Sequence, residues 1–111
     1  MEIKDSKIKN VTVITVEGSL DALTAPSLAE YVSKKVSAEE INIVVDFSGV
    51  DYTSSAGLRA LLGATKETRS QGGDLRLAAL QPDVKKVLTI SGLTSILKVF
   101  DDVDAAVSSY L

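Results

Sequence analysis

Ile41-Asn-Ile-Val-Val-Asp-Phe47 runs directly into Ser48-Gly-Val-Asp-Tyr-Thr-Ser-Ser-Ala-Gly-Leu58, and the change of character along this stretch decides the fold. The first seven residues are short and mostly apolar, as in a strand of a parallel sheet covered on both faces. Beyond them, Leu58, Leu61, Leu62 and Thr65 fall at i, i+3, i+4 and i+7, which predicts a helix. Gly72-Gly73 ends it, since glycine adopts positive φ at little cost. Leu75, Leu77 and Ala79 then alternate with Asp74, Arg76 and Ala78, predicting a further strand. Strand, helix and strand in succession imply parallel strands joined by a right-handed crossover.

The flanks extend this pattern. Val11-Thr-Val-Ile-Thr-Val-Glu17 is β-branched and reads as a strand ended by Gly18, with Ile3 to Ile8 as a weaker strand paired to it through Lys9-Asn10. Leu28, Tyr31, Val32 and Val36 recur at helical spacing between Pro26 and Val36. Pro26 and Pro82 both suit a first helical turn, where a missing N–H costs nothing. Toward the carboxyl end, Val84, Val87, Leu88 and Ser91 mark one side of a short helix stopped by Gly92. Ile96 to Phe100 is expected as an edge strand, and Val103, Ala106, Val107 and Tyr110 mark a final amphipathic helix. The expected order is β-β-α-β-α-β-α-β-α. This is a single α/β domain over residues 1–111, with a mixed, mostly parallel sheet, an amino-terminal hairpin and about four helices. The length of 111 residues fits one core.

Composition removes much chemistry. There is no cysteine, so disulfides, thiolate metal sites and thiol nucleophiles are excluded. There is no histidine, which excludes the Ser-His-Asp arrangement and most zinc sites. Acidic residues outnumber basic ones 15 to 12, for a net charge of −3, the opposite sign to a protein that neutralises nucleic-acid phosphates. The polar start Met1-Glu-Ile-Lys-Asp-Ser-Lys7 carries no apolar signal core and no run reaches membrane-span length, so a cytoplasmic, membrane-free protein is expected.

Functional loops of open α/β sheets gather beyond the carboxyl ends of parallel strands, here Ser48 to Ser55. Thr53, Ser54 and Ser55 stand just before the helical pattern. One reading is an N-cap, a hydroxyl oxygen accepting a free N–H of the first turn. A second reading is compatible with it. The helix start carries unpaired N–H groups and partial positive charge, so a serine there tolerates phosphorylation, which adds nearly two negative charges without breaking the helix.

Four segments resemble the STAS domains of the anti-sigma factor antagonist family in order and spacing. They are Gly18-Ser-Leu-Asp-Ala-Leu-Thr-Ala-Pro26, Asp46-Phe-Ser-Gly-Val-Asp-Tyr-Thr-Ser-Ser-Ala-Gly-Leu58, Gly72-Gly-Asp-Leu-Arg-Leu77 and Val87-Leu-Thr-Ile-Ser-Gly-Leu93. The resemblance implies helices mainly on one side of the sheet and a regulatory cycle with no chemistry of the domain's own. In that cycle the unmodified form binds an ATP-dependent serine kinase that is also an anti-sigma factor. Phosphorylation of one serine releases it, and a metal-dependent serine phosphatase reverses the mark. In the family pattern Asp-Ser-[Ser/Thr]-Gly-Leu, the glycine is Gly57, so the phosphorylated serine is Ser55, with Ser54 as second choice. Partner binding is implied for Asp21, Thr24, Ser54, Ser55, Ala56, Gly57 and Arg59, and no cofactor or metal is expected. The chain departs from the pattern where Ser54 replaces the aspartate, Ala56 follows Ser55 and Ser19 replaces a glutamate near Gly18. A monomer that forms hetero-complexes is expected.

Other readings are weaker. Asp21, Asp46 and Asp51 resemble a receiver's acidic cluster only if they converge. Lys34-Lys35 and Lys85-Lys86 read as solvated helix faces, and Tyr31, Tyr52 and Tyr110 as partly buried packing with a wet hydroxyl. A serine hydrolase lacks a base, with no Ser-x-x-Lys at the helix start. An unswitched interaction or ligand-binding scaffold within a larger signalling assembly is the alternative function.

Overall fold

The computed structural model describes residues 1–111. Strands β1 (Glu2–Ile8), β2 (Val11–Leu20), β3 (Asn42–Thr53), β4 (Asp74–Ala78) and β5 (Val99–Phe100) form one sheet in chain order. β1 is antiparallel to β2, and every other pairing is parallel. Helices α1 (Ala25–Ser37), α2 (Ser55–Ser70), α3 (Pro82–Ile90) and α4 (Val103–Ser108) alternate with the strands, and a single 3₁₀ turn covers Leu93–Ser95. The expected α/β class, the hairpin and the four helices are all present.

The layering follows from strand order. Each crossover from β2 onward moves one place in the same direction, so crossovers of one hand put α1, α2 and α3 on the same face. The main core on that face gathers Ile14, Val16, Phe47, Leu61, Leu77 and Leu88, all fully buried, with their neighbours. Only α4 crosses to the other face, where Ala106 and Val107 cover Val11, Val13, Val44 and Ala78. Lys9 and Asn10 both take positive φ, 49° and 69°, the conformation of a two-residue hairpin turn whose twist matches its strands.

Three strand bounds differ from the sequence reading. β2 does not end at Gly18 but continues to Leu20, and β3 continues to Thr53 where a loop was expected. The reason lies in their pairing. Register slips occur between Thr15 and Glu17 and again between Glu17 and Ser19, each time passing three residues of β3 for two of β2. The buried side chains of β3 therefore run Phe47, Val50, Thr53, every third residue, while Ile14, Val16 and Leu20 of β2 stay on the ordinary alternation, with the exposed Gly18 between the last two. Asp46 serves the first bulge, its Oδ1 accepting the Ser48 N–H at 2.9 Å. Gly18 meets the strain of this region with φ of 108°, a conformation that favours glycine. At the other edge, the expected strand from Ile96 shortens to Val99–Phe100, because Leu93–Ser95 first turn inward and bury Leu93 and Leu97.

Asp74 anchors the distal end of the sheet. It is only 7% exposed and accepts from Arg69 Nε at 2.8 Å and Arg76 Nε at 3.1 Å, with Lys98 Nζ at 3.8 Å. The Arg76 guanidinium stacks 3.9 Å from the Tyr110 ring centre, and the Tyr110 hydroxyl lies within reach of the Ile43 and Asp74 carbonyls at 2.7 and 2.8 Å. Burial pushes the Asp74 carboxyl up, but the hydrogen bonds from Arg69 and Arg76 outweigh it and hold the group below its ordinary 3.8. A depressed carboxyl contributes stability that is complete above its unfolded value and lost as pH falls through the folded one. Asp74→Asn is therefore expected to lower stability at neutral pH by roughly 1–3 kcal/mol. The gap from wild type should close below about pH 4, read from urea midpoints across the pH range.

Candidate functional site

The site forms where β2 ends, β3 ends and α2 begins. Leu20 and Thr53 are paired across the sheet, and the Leu20 carbonyl accepts the Ser54 N–H at 2.9 Å. That bond ties the loop after β2 to the start of α2. Gly57 completes the junction. A Cβ there would stand 2.6 Å from Thr53 Oγ1, 2.7 Å from the Leu20 carbonyl oxygen and 2.8 Å from Leu20 Cγ. No side chain fits, so the glycine that set the motif's register is the one that lets the helix touch β2.

The three hydroxyls divide their tasks. Thr53 is buried against this junction. Ser54, extended at φ −100° and ψ 175°, is the N-cap of α2, and its Oγ accepts the Gly57 N–H at 3.3 Å. Serine and aspartate are both strong caps, so the residue that replaces the pattern's aspartate keeps the cap and drops the charge. Ser55 opens the helix, is exposed, and its hydroxyl has no hydrogen-bond partner. Arg59 stands one helical turn on, also exposed. The two share a groove of about 200 Å³ with Leu58, Leu62, Ser91 and Leu93.

The Asp21–Thr24 turn sits beside the junction because Asp21 follows Leu20. Asp21 Oδ1 accepts the Leu23 and Thr24 N–H groups at 2.9 and 3.1 Å, while Thr24 Oγ1 accepts the Asp21 N–H at 2.9 Å and lies 2.8 Å from the Ser19 carbonyl. The N–H groups of Thr24 and then Leu23 hold the Asp21 carboxyl below its ordinary value. Both residues thus shape the turn. The structure places Asp21 and Thr24 in the turn between β2 and α1, and Ser54, Ser55, Ala56, Gly57 and Arg59 from the N-cap of α2 to just past its first turn. Asp46 and Asp51 do not join Asp21: Asp46 serves the bulge and Asp51 faces Ser19 Oγ at 3.4 Å.

Sequence reading missed the apolar rim. Tyr52 is 55% exposed and Ile90 76%, with Leu23 and Val87 exposed as well. Tyr52, expected as partly buried packing, instead meets Val87 in a shallow groove with Asp51 and Asp83. Val87 and Ser91 lie four residues apart on one side of α3, so that side runs from this groove to the one holding Ser55. The signal was present in Val87-Leu-Thr-Ile90, which has more apolar residues than one buried face of a short helix holds.

The family model described as "STAS domain" matches residues 2–106. The chain belongs to the STAS domain family. BtrV of Bordetella bronchiseptica is 33% identical over 110 residues, spanning 99% of this chain and 95% of its own. The anti-sigma-B factor antagonist of Listeria monocytogenes is 30% identical over 99 residues, spanning 89% and 86%. These relatives place the chain among the anti-sigma factor antagonists. The Bacillus cell fate determinant SpoIIAA, solved in its phosphorylated form, superposes with a TM-score of 0.75 at 20% identity, covering 99% of this chain and all of that one, and shares the fold. No helix of this STAS domain is long and apolar enough to cross a membrane.

Two substitutions separate architecture from surface. Gly57→Ala is expected to cost roughly 1–3 kcal/mol through overpacking. Ser54→Ala should cost about 1 kcal/mol through the lost cap, whereas Ser55→Ala should stay within about 0.5 kcal/mol of wild type. Denaturant midpoints of the three variants check the ranking.

Proposed function

We propose that this STAS domain is a phosphorylation-controlled antagonist, not itself an enzyme, that binds an anti-sigma factor when unmodified and lets go when Ser55 carries phosphate. The observation that carries this reading is the free, exposed hydroxyl of Ser55 at the first residue of α2. Ser54 is half-buried and spends its oxygen on the Gly57 N–H, which favours Ser55 as the acceptor. The partner is a serine kinase that uses ATP: the γ-phosphoryl moves to Ser55 Oγ, ADP leaves, and the hydroxyl proton passes to the kinase's base. A metal-dependent phosphatase returns the hydroxyl by hydrolysis. A monomeric cytoplasmic domain spanning residues 1–111 suits such partner exchange.

The physics of the switch is local. A new anion at the start of α2 meets unpaired N–H groups and the positive end of the helix, so the fold holds. The same charge, close to −2, lands next to the bond that ties Ser54 to Leu20 and alters the surface that a partner must cover. Asp21, Thr24, Ala56, Gly57 and Arg59 frame that surface.

The test pairs the purified domain with a candidate anti-sigma serine kinase and ATP, followed by mass-spectrometric mapping. The mark is expected on Ser55, and a mark found only outside Thr53 to Ser55 overturns the assignment. In binding assays without ATP, Ser55→Ala should bind the kinase as wild type does. Ser55→Asp should bind roughly tenfold or more weakly, and equal affinities would contradict a charge switch.

A further inference from the structure

Resting on that reading, we propose that Arg59 is the counter-ion built into this chain for the phosphate on Ser55, so that modification adds an anion and withdraws a cation from the docking surface in one step. Three observations lead there. Of the three arginines in the sequence, Arg69 and Arg76 are both engaged, with Asp74, the Ile96 carbonyl and Ser109, whereas Arg59 has neither an ion pair nor a hydrogen bond. Arg59 and Ser55 line the same groove, one turn apart on α2. No acidic residue stands in the first turn of α2 to occupy that guanidinium.

The spacing has a preferred direction. An anion four residues before a cation on a helix is the favourable order, because it also sets the negative charge toward the helix start. A phosphoserine at 55 has three acceptor oxygens on a short side chain, and arginine is the side chain whose fork of N–H groups suits them. The groove directs the contact. Leu58, Leu62 and Leu93 form its apolar part, along which the methylenes of Arg59 can lie while the guanidinium reaches back toward residue 55. In the unmodified protein the same guanidinium is free for an acidic group of a docking partner. Phosphate on Ser55 competes for it from within the chain.

The experiment needs no kinase. Phosphoserine is installed at position 55 during translation by genetic code expansion, in the otherwise wild-type chain and in the Arg59→Gln and Arg59→Lys variants. The second ionisation of the phosphate is followed by ³¹P NMR titration at low salt. The Arg59 protein is expected to titrate about 0.3 unit below Arg59→Gln, the shift an i,i+4 ion pair produces. Arg59→Lys should recover most of it, and added salt should shrink it. Equal midpoints for Arg59 and Arg59→Gln overturn the counter-ion. Arg59 is exposed, so circular dichroism should show all three folded alike. Failure of this titration removes Arg59 from the switch and leaves the acceptor untouched, whereas failure of a kinase to mark Ser55 removes the reading beneath it.

Discussion

The carbonyl of Leu20 is the point on which the structure turns. It closes β2, accepts the Ser54 N–H at 2.9 Å, and lies so near Gly57 that a methyl group there would sit 2.7 Å away. Hydrogen bonding and close packing at one atom hold the last residue of β2 and the first turn of α2 together. The Asp21–Thr24 turn, the Ser54 cap and the Ser55 hydroxyl then have no independent freedom. A surface that responds to one added charge needs such a fixed mount, since a loose loop would absorb the charge by moving.

The division of labour between adjacent serines follows from helix geometry. The cap position points its oxygen back at the helix and is half-buried, and the next position points away. A cap serves the half-buried start of α2, because first-turn N–H groups shielded from water and without acceptors cost free energy. The exposed neighbour is free of that duty. The chain's replacement of a capping aspartate by Ser54 respects this logic while leaving the cap neutral. A phosphate on Ser55 would therefore meet one anion fewer than beside an aspartate, with the guanidinium of Arg59 lining the same groove.

Most of the architecture was legible because it rests on simple periods. The spacing of two at Leu75 and Leu77 and the helical spacing at Leu58, Leu61 and Leu62 each report one buried face. Lys9-Asn10 marked the hairpin although neither is glycine, because a strand pattern stands on both sides. The second half of β3 was illegible for the same reason. Its buried residues Phe47, Val50 and Thr53 follow a period of three, set by two bulges against β2, and neither strand nor helix rules predict that spacing. Motif spacing put Ser54 and Ser55 side by side, yet which hydroxyl caps the helix and which stays exposed was separable only in three dimensions. The exposure of Tyr52 and Val87 was not legible because exposed apolar side chains look like core in a one-dimensional pattern.

One measurement addresses the core of this picture: a comparison of backbone amide NMR spectra of the domain with serine and with phosphoserine at position 55. Displacements confined to Leu20–Thr24, the first turns of α2 and the facing end of α3, with β4 and α4 unmoved, are expected of an anion carried on a rigid surface. Displacements spread through the Asp74–Tyr110 end of the sheet, or collapse of the dispersed spectrum, would contradict it.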